Sequence, residues 1–312
     1  MTPSTSALLF PGQGSQYVGM GKQLAEAFPQ AEETFREADE VLGFELSQLM
    51  WEGPEEDLVL TMNAQPAILT HSVGVLRLIR DQLGEVTMAA GHSLGEFSAH
   101  VAAGTVSFEE ALELVRLRGE LMAQAGRSRP GTMAAVLGME DEAVEALCEE
   151  ASDPPEPVVV PANFNSVGQV VISGDLEAID RAADLAPARG AKGIVRLSVS
   201  GAFHSPLMKP AKEGLQARLQ SVEFHSPRFP VYSNVDALPV CDAESAREGL
   251  IRQLTQPVRW AASISAMLEN GVGRFIEVGP GNVLTGLNRK NARGIESLSI
   301  GDLEEVVALG QG

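Results

Sequence analysis

Short runs of apolar residues, each ending in a glycine turn and followed by a helical pattern, recur along the chain. They occupy residues 7–10, 86–91 and 274–279. A buried strand that leads through a tight turn into a helix is typical of parallel strands joined by crossover helices. The pattern therefore predicts an α/β main body built on a parallel sheet.

The order of elements changes between about residues 131 and 200. Patterns there predict strands over residues 132–137, 158–163, 169–173 and 193–199, and helices over residues 141–151 and 175–188. The resulting order, βαββαβ, is that of a ferredoxin-like unit. We therefore expect a small ferredoxin-like subdomain at residues 128–196, inserted into a large α/β catalytic subdomain made of residues 1–127 and 197–312.

The composition indicates a globular protein with a large core, since 44% of the 312 residues are hydrophobic. The apolar stretches fall far short of the roughly 18 residues needed to span a bilayer. The run at residues 7–10 is also too short for the core of a signal peptide. We expect a cytoplasmic protein without a membrane partner, and the absence of a heptad pattern makes a monomer the expected state.

Net charge and cysteine content narrow the range of partners and cofactors. A net charge of −19 repels nucleic acid and anionic membranes, so an anionic partner must meet a local basic patch. Cys148 and Cys241 lie far apart without metal-ligand spacing, which supports neither a disulfide nor a zinc site. We therefore expect no nucleic acid partner and no metal.

A candidate nucleophile follows the second of the predicted strands. Residues 91–95 read Gly-His-Ser-Leu-Gly and fit the G-x-S-x-G pattern of a nucleophile elbow, between an apolar strand and an alanine-rich helix. In such an elbow Ser93 projects over the strand end, and the N–H of Leu94 points toward a developing oxyanion. The alternative is an ordinary turn, because glycine and serine are common in turns.

A serine nucleophile needs a base, and the chain has 5 histidines. His92 adjoins Ser93 on a tight turn, where neighbouring side chains point in different directions, so it is a poor direct base. His204 is the better candidate, because it lies in a loop rich in glycine, serine and proline at the junction with the inserted segment. A purely structural histidine is the alternative.

Arg118 is the unusual residue of the helix predicted over residues 109–122. Steps of three and four residues from Arg118 reach only apolar side chains, namely Leu114, Val115, Leu121 and Met122. The guanidinium therefore lies on the apolar face. An inward cation must find an anion, either a structural carboxylate or a bound one, and arginine matches a carboxylate with two hydrogen bonds.

The loop after the first strand, residues 10–16, reads Phe-Pro-Gly-Gln-Gly-Ser-Gln. It lacks both the G-x-G-x-x-G and the G-K-[ST] spacing of nucleotide-binding loops. Gln13, held between two glycines, can instead bring a backbone or side-chain donor close to a reacting carbonyl. The Gly-Pro-Gly turn at residues 279–281 has the composition of a structural turn.

Together these segments resemble the malonyl-CoA:acyl carrier protein transacylase family of fatty acid synthesis. The resemblance is carried by residues 11–16, 91–96, 118, 201–205 and 277–281, in this order and over nearly the whole chain. It implies an α/β-hydrolase-like core that contains the ferredoxin-like insertion. It also implies an acyltransferase that uses no metal or cofactor and whose partners are malonyl-CoA, coenzyme A and acyl carrier protein.

The resemblance assigns roles to individual residues of the catalytic site. Ser93 would be the acylated nucleophile and His204 its base, in a dyad without an acidic third member. The main-chain carbonyl of Gln253 would orient the imidazole. Gln13 and the N–H of Leu94 would form the oxyanion hole.

The resemblance also bears on selectivity and docking. Arg118 would bind the free carboxylate of the malonyl group, and Phe203 would fill the space that an α-methyl group requires. Arg289 and Lys290 are candidate docking residues for an acidic carrier protein, although a solvated basic face is the ordinary alternative. Such a free-standing transferase can serve either fatty acid or polyketide synthesis.

Two rival functions remain open on the sequence. A thioesterase of the α/β-hydrolase type shares the elbow but needs an acid between the serine and the histidine. Asp175, Asp180 and Asp184 fall in that interval, but they lie in the second helix of the inserted unit, and a hydrolase leaves Arg118 unexplained. The other rival is a non-catalytic module that binds the carrier protein.

Overall fold

The computed structural model describes residues 5–310, so residues 1–4 and 311–312 of the predicted large subdomain lie outside the described part. Within residues 5–310 the chain forms ten strands: β1 Ser6–Phe10, β2 Val86–Gly91, β3 Gly131–Leu137, β4 Val159–Ser166, β5 Gln169–Asp175, β6 Gly193–Arg196, β7 Val231–Tyr232, β8 Pro239–Val240, β9 Arg274–Val278 and β10 Glu296–Ile300. The same residues form fourteen α-helices: α1 Lys22–Ala27, α2 Pro29–Leu42, α3 Leu46–Glu52, α4 Glu55–Leu58, α5 Thr61–Ile79, α6 Gly95–Ala103, α7 Phe108–Ser128, α8 Asp141–Ala151, α9 Leu176–Leu185, α10 Lys209–Ser221, α11 Ala243–Gln253, α12 Trp260–Glu269, α13 Val283–Asn291 and α14 Leu303–Leu309. Short 3-10 helices lie at Arg80–Gln82, Ala186–Arg189 and Pro206–Met208. None of these helices is both long enough and apolar enough to cross a membrane.

Six of the described strands form the larger sheet, in the order β10-β9-β1-β2-β7-β8. Neighbouring strands from β10 to β7 are parallel, and β8 is antiparallel to β7. All five residues of β1 are buried, because Leu8 and Phe10 pack into one apolar cluster and Ala7 and Leu9 pack into another. Alternate side chains of a strand point to opposite faces, so both faces of this sheet are covered. The predicted α/β body with a parallel sheet is thus confirmed.

A second, antiparallel sheet is formed by the segment between α7 and α10, with the strand order β4-β5-β3-β6. Its elements follow one another as strand, helix, strand, strand, helix, strand. Val136 of β3 and Ile172 of β5 share a buried cluster with Leu147 of α8 and Ile179 of α9. This segment therefore has an apolar core of its own, in which two helices cover one face of the sheet.

Several element boundaries differ from the predicted ones, and two of them lie where the second sheet's segment joins the main body. The helix predicted to end at residue 122 continues to Ser128 and ends shortly before Pro130, since proline disfavours helix in the residue that precedes it. The strand predicted to continue to residue 199 ends at Arg196. Beyond it the chain packs against α7, where an added Cβ on Gly126 would lie only 2.3 Å from the carbonyl oxygen of Ser200.

The carboxyl ends of β1, β2 and β9 meet at one edge of the larger sheet, because these three strands are parallel neighbours. The loops that follow them contain residues 11–16, 92–94 and 279–281. Ligand sites of open parallel sheets lie at this edge. The fold therefore brings together the segments on which the sequence-based function rests.

Candidate active site

The turn between β2 and α6 holds Ser93 in an unusual backbone conformation. Its φ is 51°, in the left-handed region that costs a non-glycine residue about 1–3 kcal/mol. Glycines on either side make this turn possible. A Cβ on Gly91 would lie 1.9 Å from the carbonyl carbon of Gly95, and a Cβ on Gly95 would lie 2.1 Å from the carbonyl oxygen of Phe10. The turn has the geometry of a nucleophile elbow.

Asn234, just after β7, holds this elbow in place. Its side-chain oxygen accepts a hydrogen bond from the N–H of Ser93 over 2.7 Å, and its side-chain nitrogen donates to the carbonyl oxygen of Gly91 over 2.7 Å. The amide is completely buried, so both bonds are shielded from competing water. Sequence reasoning missed Asn234, because it lies 141 residues from Ser93 and in no recognisable motif.

The imidazole of His204 lies within hydrogen-bond distance of the hydroxyl of Ser93. The Oγ of Ser93 lies 2.7 Å from Nε2 of His204, and Nδ1 of His204 lies 2.8 Å from the main-chain carbonyl oxygen of Gln253. A carbonyl oxygen can only accept, so the ring proton belongs on Nδ1 and Nε2 is left as the acceptor. The structure thus brings together the three residues that were predicted to form the dyad and its orienting carbonyl.

The environment of His204 keeps its imidazole neutral. The side chain is 4% exposed. Burial, and then the positive charge of Arg118, lower the pKa of His204 to about 3. At neutral pH the ring is therefore in the form that can take a proton from Ser93.

Arg118 points inward from α7, as predicted, and is 1% exposed. Nη1 donates to Oε1 of Gln65 over 2.7 Å, and Nη2 donates to Oγ of Ser93 over 3.0 Å and to Oε1 of Gln253 over 2.9 Å. Burial lowers the pKa of Arg118 to about 10, and the negative charge of Glu96 opposes this effect. All three acceptors are neutral, so these contacts leave the charge of the guanidinium without a carboxylate partner beside the nucleophile.

Gln13 reaches the elbow from the loop after β1. This loop packs tightly on the turn, since a Cβ on Gly12 would lie 2.5 Å from the carbonyl oxygen of His92. Oε1 of Gln13 accepts a hydrogen bond from Oγ1 of Thr61 over 2.8 Å, and that hydroxyl accepts one from Nε2 of Gln65 over 2.9 Å. With its oxygen engaged, the amide of Gln13 has its N–H donors left for a ligand.

Ser93, Arg118 and His204 border a cavity of about 440 Å³, a volume typical of small-molecule sites. Gln13 and Phe203 also line this cavity. Another wall is formed by residues of the second sheet and of the chain that follows β6, namely Met133, Asn163, Leu197, Ser198 and Val199. Leu94 follows Ser93 in the turn and precedes the first residue of α6. Its N–H therefore lies at the positive end of a helix dipole.

Glu96 is a second residue that sequence reasoning missed. It is 1% exposed in the first turn of α6, and its Oε2 accepts a hydrogen bond from Nε2 of Gln253 over 2.6 Å. Burial raises the pKa of Glu96 to about 7. The sequence did contain a signal for it. Glu96 is an ionisable residue in the largely apolar helix α6, and a charge buried in such a helix needs a polar partner, which is the argument that identified Arg118 in α7.

The acidic residues required by the rival hydrolase lie elsewhere. Asp175 and Asp180 form ion pairs with arginine side chains, and Asp184 is exposed. None of the three orients His204, since its Nδ1 contacts a main-chain carbonyl. Among residues 5–310 there is also no group of three or more histidine, cysteine or acidic side chains that could hold a metal ion.

The candidate docking residues lie near the end of α13, where Arg289 and Lys290 are exposed. The next residue, Asn291, donates from its side chain to the carbonyl oxygen of Asn165 over 2.8 Å. The side-chain oxygen of Asn165 lies 2.8 Å from Nε2 of His92, the neighbour of the nucleophile. The basic residues therefore lie on a helix that two contacts connect to the elbow.

The chain is similar to known proteins over nearly its whole length. The acyl transferase domain family matches residues 7–307. The malonyl CoA-acyl carrier protein transacylase of Bacillus subtilis is 46% identical over 303 residues, which cover 97% of this chain and 95% of the relative. The enzyme of the same name from Escherichia coli K12 is 44% identical over 304 residues, which cover 97% of each chain.

Solved structures give the same result. The crystal structure of an acyl carrier protein S-malonyltransferase from Vibrio cholerae is similar with a TM-score of 0.94 and 45% identity, covering 98% of this chain and 100% of that one. A malonyl-transacylase solved in complex with its type II PKS acyl carrier protein has a TM-score of 0.93 and 44% identity, covering 99% and 100% of the two chains. The chain therefore belongs to the malonyl-CoA:acyl carrier protein transacylase family of acyl transferases.

Proposed function

We propose that this chain transfers a malonyl group from malonyl-CoA to the phosphopantetheine thiol of an acyl carrier protein. The observation that carries the proposal is the contact of three groups at one point. Oγ of Ser93 lies 2.7 Å from a neutral imidazole nitrogen of His204 and 3.0 Å from a guanidinium nitrogen of Arg118. A nucleophile, a base and a cation for a substrate carboxylate are therefore all within reach of one bound acyl group.

In the first half-reaction Ser93 attacks the thioester carbonyl of malonyl-CoA while His204 takes the hydroxyl proton. The negative charge that develops on the carbonyl oxygen is stabilised by the donors of Gln13 and the N–H of Leu94. The carbon–sulfur bond then breaks, and coenzyme A leaves with the proton that His204 returns to its sulfur. The malonyl group remains as an ester on Ser93.

The second half-reaction reverses these roles on a new acceptor. The phosphopantetheine thiol gives its proton to His204 and attacks the ester, and the proton then returns to the oxygen of Ser93. The two substrates use the site in turn, which is a ping-pong sequence. Each step needs only groups of this chain, because a thioester is already activated, and we propose that no metal or other cofactor takes part.

Arg118 gives the site its preference for malonyl over acetyl groups. The malonyl carboxylate can take over hydrogen bonds that the guanidinium now donates to neutral oxygens, and it adds the missing negative charge. An acetyl group leaves the buried cation unpaired. Phe203, which lines the cavity next to His204, occupies space that an α-methyl group would need, so it disfavours methylmalonyl.

The carrier protein is the proposed partner, and the complex of the structural relative with its own carrier supports this assignment. Arg289 and Lys290 on α13 are the proposed docking residues, because carrier proteins are acidic and this chain has a net charge of −19, so that docking requires a local basic patch. The transfer would supply the extender unit for fatty acid synthesis, or for polyketide synthesis if the carrier belongs to that pathway.

We also propose a finer description of the architecture. Residues 128–196 would form a ferredoxin-like subdomain, supported by the element order of the segment and by the strand order β4-β5-β3-β6. Residues 1–127 and 197–312 would form a large subdomain with an α/β-hydrolase-like core, supported by the elbow at the carboxyl end of the parallel strand β2.

Intact-protein mass spectrometry after brief mixing with malonyl-CoA tests the function directly. We expect one malonyl adduct on the wild type, no adduct on Ser93→Ala, and loss of the adduct when the holo carrier protein is added. The same spectra must then show the carrier heavier by one malonyl group. Release of coenzyme A and free malonate without an adduct or a malonylated carrier would instead identify a hydrolase.

A further inference from the structure

Glu96 is a buried carboxyl group that the proposed mechanism does not use. It lies behind the elbow, and its Oε2 is 2.6 Å from Nε2 of Gln253. Both of its oxygens face the main-chain N–H of Asn234 at 3.4 Å. The donors in these hydrogen bonds are all neutral N–H groups. Burying a carboxyl group costs desolvation free energy that its hydrogen bonds must offset.

Gln253 joins Glu96 to Ser93, Arg118 and His204. Its Nε2 also donates to the carbonyl oxygen of Ser93 over 2.9 Å, and its Oε1 accepts from Nη2 of Arg118 over 2.9 Å. Its own main-chain carbonyl accepts from Nδ1 of His204 over 2.8 Å. Two acceptors therefore face the amide nitrogen and one donor faces the amide oxygen, which leaves the side chain of Gln253 a single favourable orientation.

We propose that Glu96 is a positioning residue for malonyl recognition, which fixes the side chain of Gln253 and through it the guanidinium of Arg118. The inference rests on the proposed function, because it requires Arg118 to bind the malonyl carboxylate. Without Glu96 the amide of Gln253 loses its charged acceptor and can rotate. Arg118 then loses its fixed acceptor on Gln253 and no longer points steadily at the acyl group.

The intervening amide explains how a negative charge can assist Arg118 without blocking it. A carboxylate in direct contact with the guanidinium would form an ion pair that the substrate has to break. Glu96 acts from behind Gln253 and offsets the buried positive charge, while Nη2 of Arg118 can exchange its hydrogen bond to the hydroxyl of Ser93 for one to the substrate carboxylate and keep its bond to Gln253. The arrangement combines charge compensation with an open binding position.

The protonation state of Glu96 gives the inference a pH dependence. Burial raises its pKa to about 7, against the hydrogen bond from Gln253, the N–H of Asn234 and the charge of Arg118. Asp236 adds a negative charge nearby, and Arg252 also lies close enough for its charge to be felt. Glu96 is therefore ionised above about pH 7, and the charged hydrogen bond to Gln253 is lost as the pH falls through this value.

The test is the rate of Ser93 acylation by malonyl-CoA and by acetyl-CoA in Glu96→Gln, which keeps the shape of the side chain and removes its charge. We expect kcat/KM for malonyl-CoA to fall about 10- to 100-fold, the loss expected for a hydrogen bond to a charged group. KM should account for most of the fall. Acylation by acetyl-CoA, which does not use Arg118, should fall much less, so the malonyl-to-acetyl ratio drops about tenfold.

Glu277→Gln is the matched control. Glu277 is another completely buried glutamate, but it accepts hydrogen bonds from the main chain of Leu284 and Thr285 at the start of α13. Its replacement should lower stability without changing the ratio. If Glu96→Gln does not fold, Glu96→Asp keeps the charge but withdraws it from Gln253, and the same drop in the ratio is expected.

An unchanged ratio in the folded Glu96 variant would overturn the inference while leaving the proposed function intact, since the wild type would still carry a malonyl adduct. Absence of that adduct would instead remove the proposed function. The pH profile gives an independent reading. The malonyl preference of the wild type should fall below about pH 7, and that of Glu96→Gln should not respond to pH in this range; identical profiles would count against the inference.

Discussion

Replacing Arg118 with methionine tests directly whether this arginine binds the malonyl carboxylate. The change removes the guanidinium and keeps a side chain of similar length in α7. A malonyl carboxylate then enters a buried site without a partner, which costs about 3–5 kcal/mol. Since each 1.4 kcal/mol is a factor of ten, kcat/KM for malonyl-CoA should fall roughly 100- to 4000-fold.

Acetyl-CoA provides the internal comparison, because it has no carboxylate to lose. We expect Arg118→Met to acylate Ser93 from acetyl-CoA at least as fast as the wild type does. Rapid-quench mixing followed by intact-protein mass spectrometry measures both rates in one experiment. Arg116→Met is the control on the same helix, since Arg116 pairs with Glu120 at 2.7 Å and donates to Met62 and Asn63 of α5, with no contact to Ser93 among these bonds. Retention of the wild-type malonyl preference in Arg118→Met would refute the assignment.

The variant should remain folded, because two effects of similar size oppose each other. Burial lowers the pKa of Arg118 from its usual range to about 10, which corresponds to a desolvation cost of about 3 kcal/mol for the charged form. Methionine removes this desolvation cost but leaves the amide oxygens of Gln65 and Gln253 without their donor, at a cost of about 1–3 kcal/mol each. Urea unfolding should therefore show a change of only a few kcal/mol.

Three further outcomes follow from the structure. Phe203→Ser should raise the ratio of methylmalonyl to malonyl acylation about tenfold, the usual worth of one methyl group in a pocket, and an unchanged ratio would remove Phe203 from selectivity. Gly95→Ala should lower the free energy of unfolding by about 3 kcal/mol, because its Cβ would lie 2.1 Å from a carbonyl oxygen of β1; Gly286→Ala, with open space around its Cβ in α13, should instead be neutral or stabilising in the same urea titration. Arg289→Glu combined with Lys290→Glu should slow transfer to the carrier protein and spare acylation by malonyl-CoA, whereas equal losses in both half-reactions would place these residues outside the docking surface.

The sequence predicted the features that leave a local signal. Strands buried on both faces appear as continuous apolar runs, so β1, β2 and β9 could be identified before the structure was known. The elbow was visible because a tight turn requires glycine at 91 and 95. The inward direction of Arg118 followed from helical periodicity, since all its neighbours at three and four residues are apolar.

Other parts of the site left no local signal. Gln253 entered only through the resemblance, because the end of α11 has no pattern that marks a carbonyl as an orienting group. Asn234 contacts Ser93 from 141 positions away in the chain. Glu96 contacts Gln253 across 157 positions. Such contacts depend on how β7 and α11 pack beside β2, and tertiary packing cannot be derived from periodicity in a single sequence. The docking role of Arg289 and Lys290 stays a prediction.

The antiparallel pairing of β3 with β6 has a consequence for how this enzyme family can diversify. Ala134 in the middle of β3 pairs with Arg196, the last residue of β6, so the segment leaves the main body and returns to it at nearby places. A replacement segment from a related chain would have to fit these two adjacent junctions and keep the contacts that Asn165 makes with His92 and Asn291. It would bring its own cavity wall, here Met133 and Asn163, while the acyl-transfer chemistry stays on the parental scaffold. Recombination at this one position is therefore a route to new acyl-group preferences that leaves the nucleophile and its base untouched.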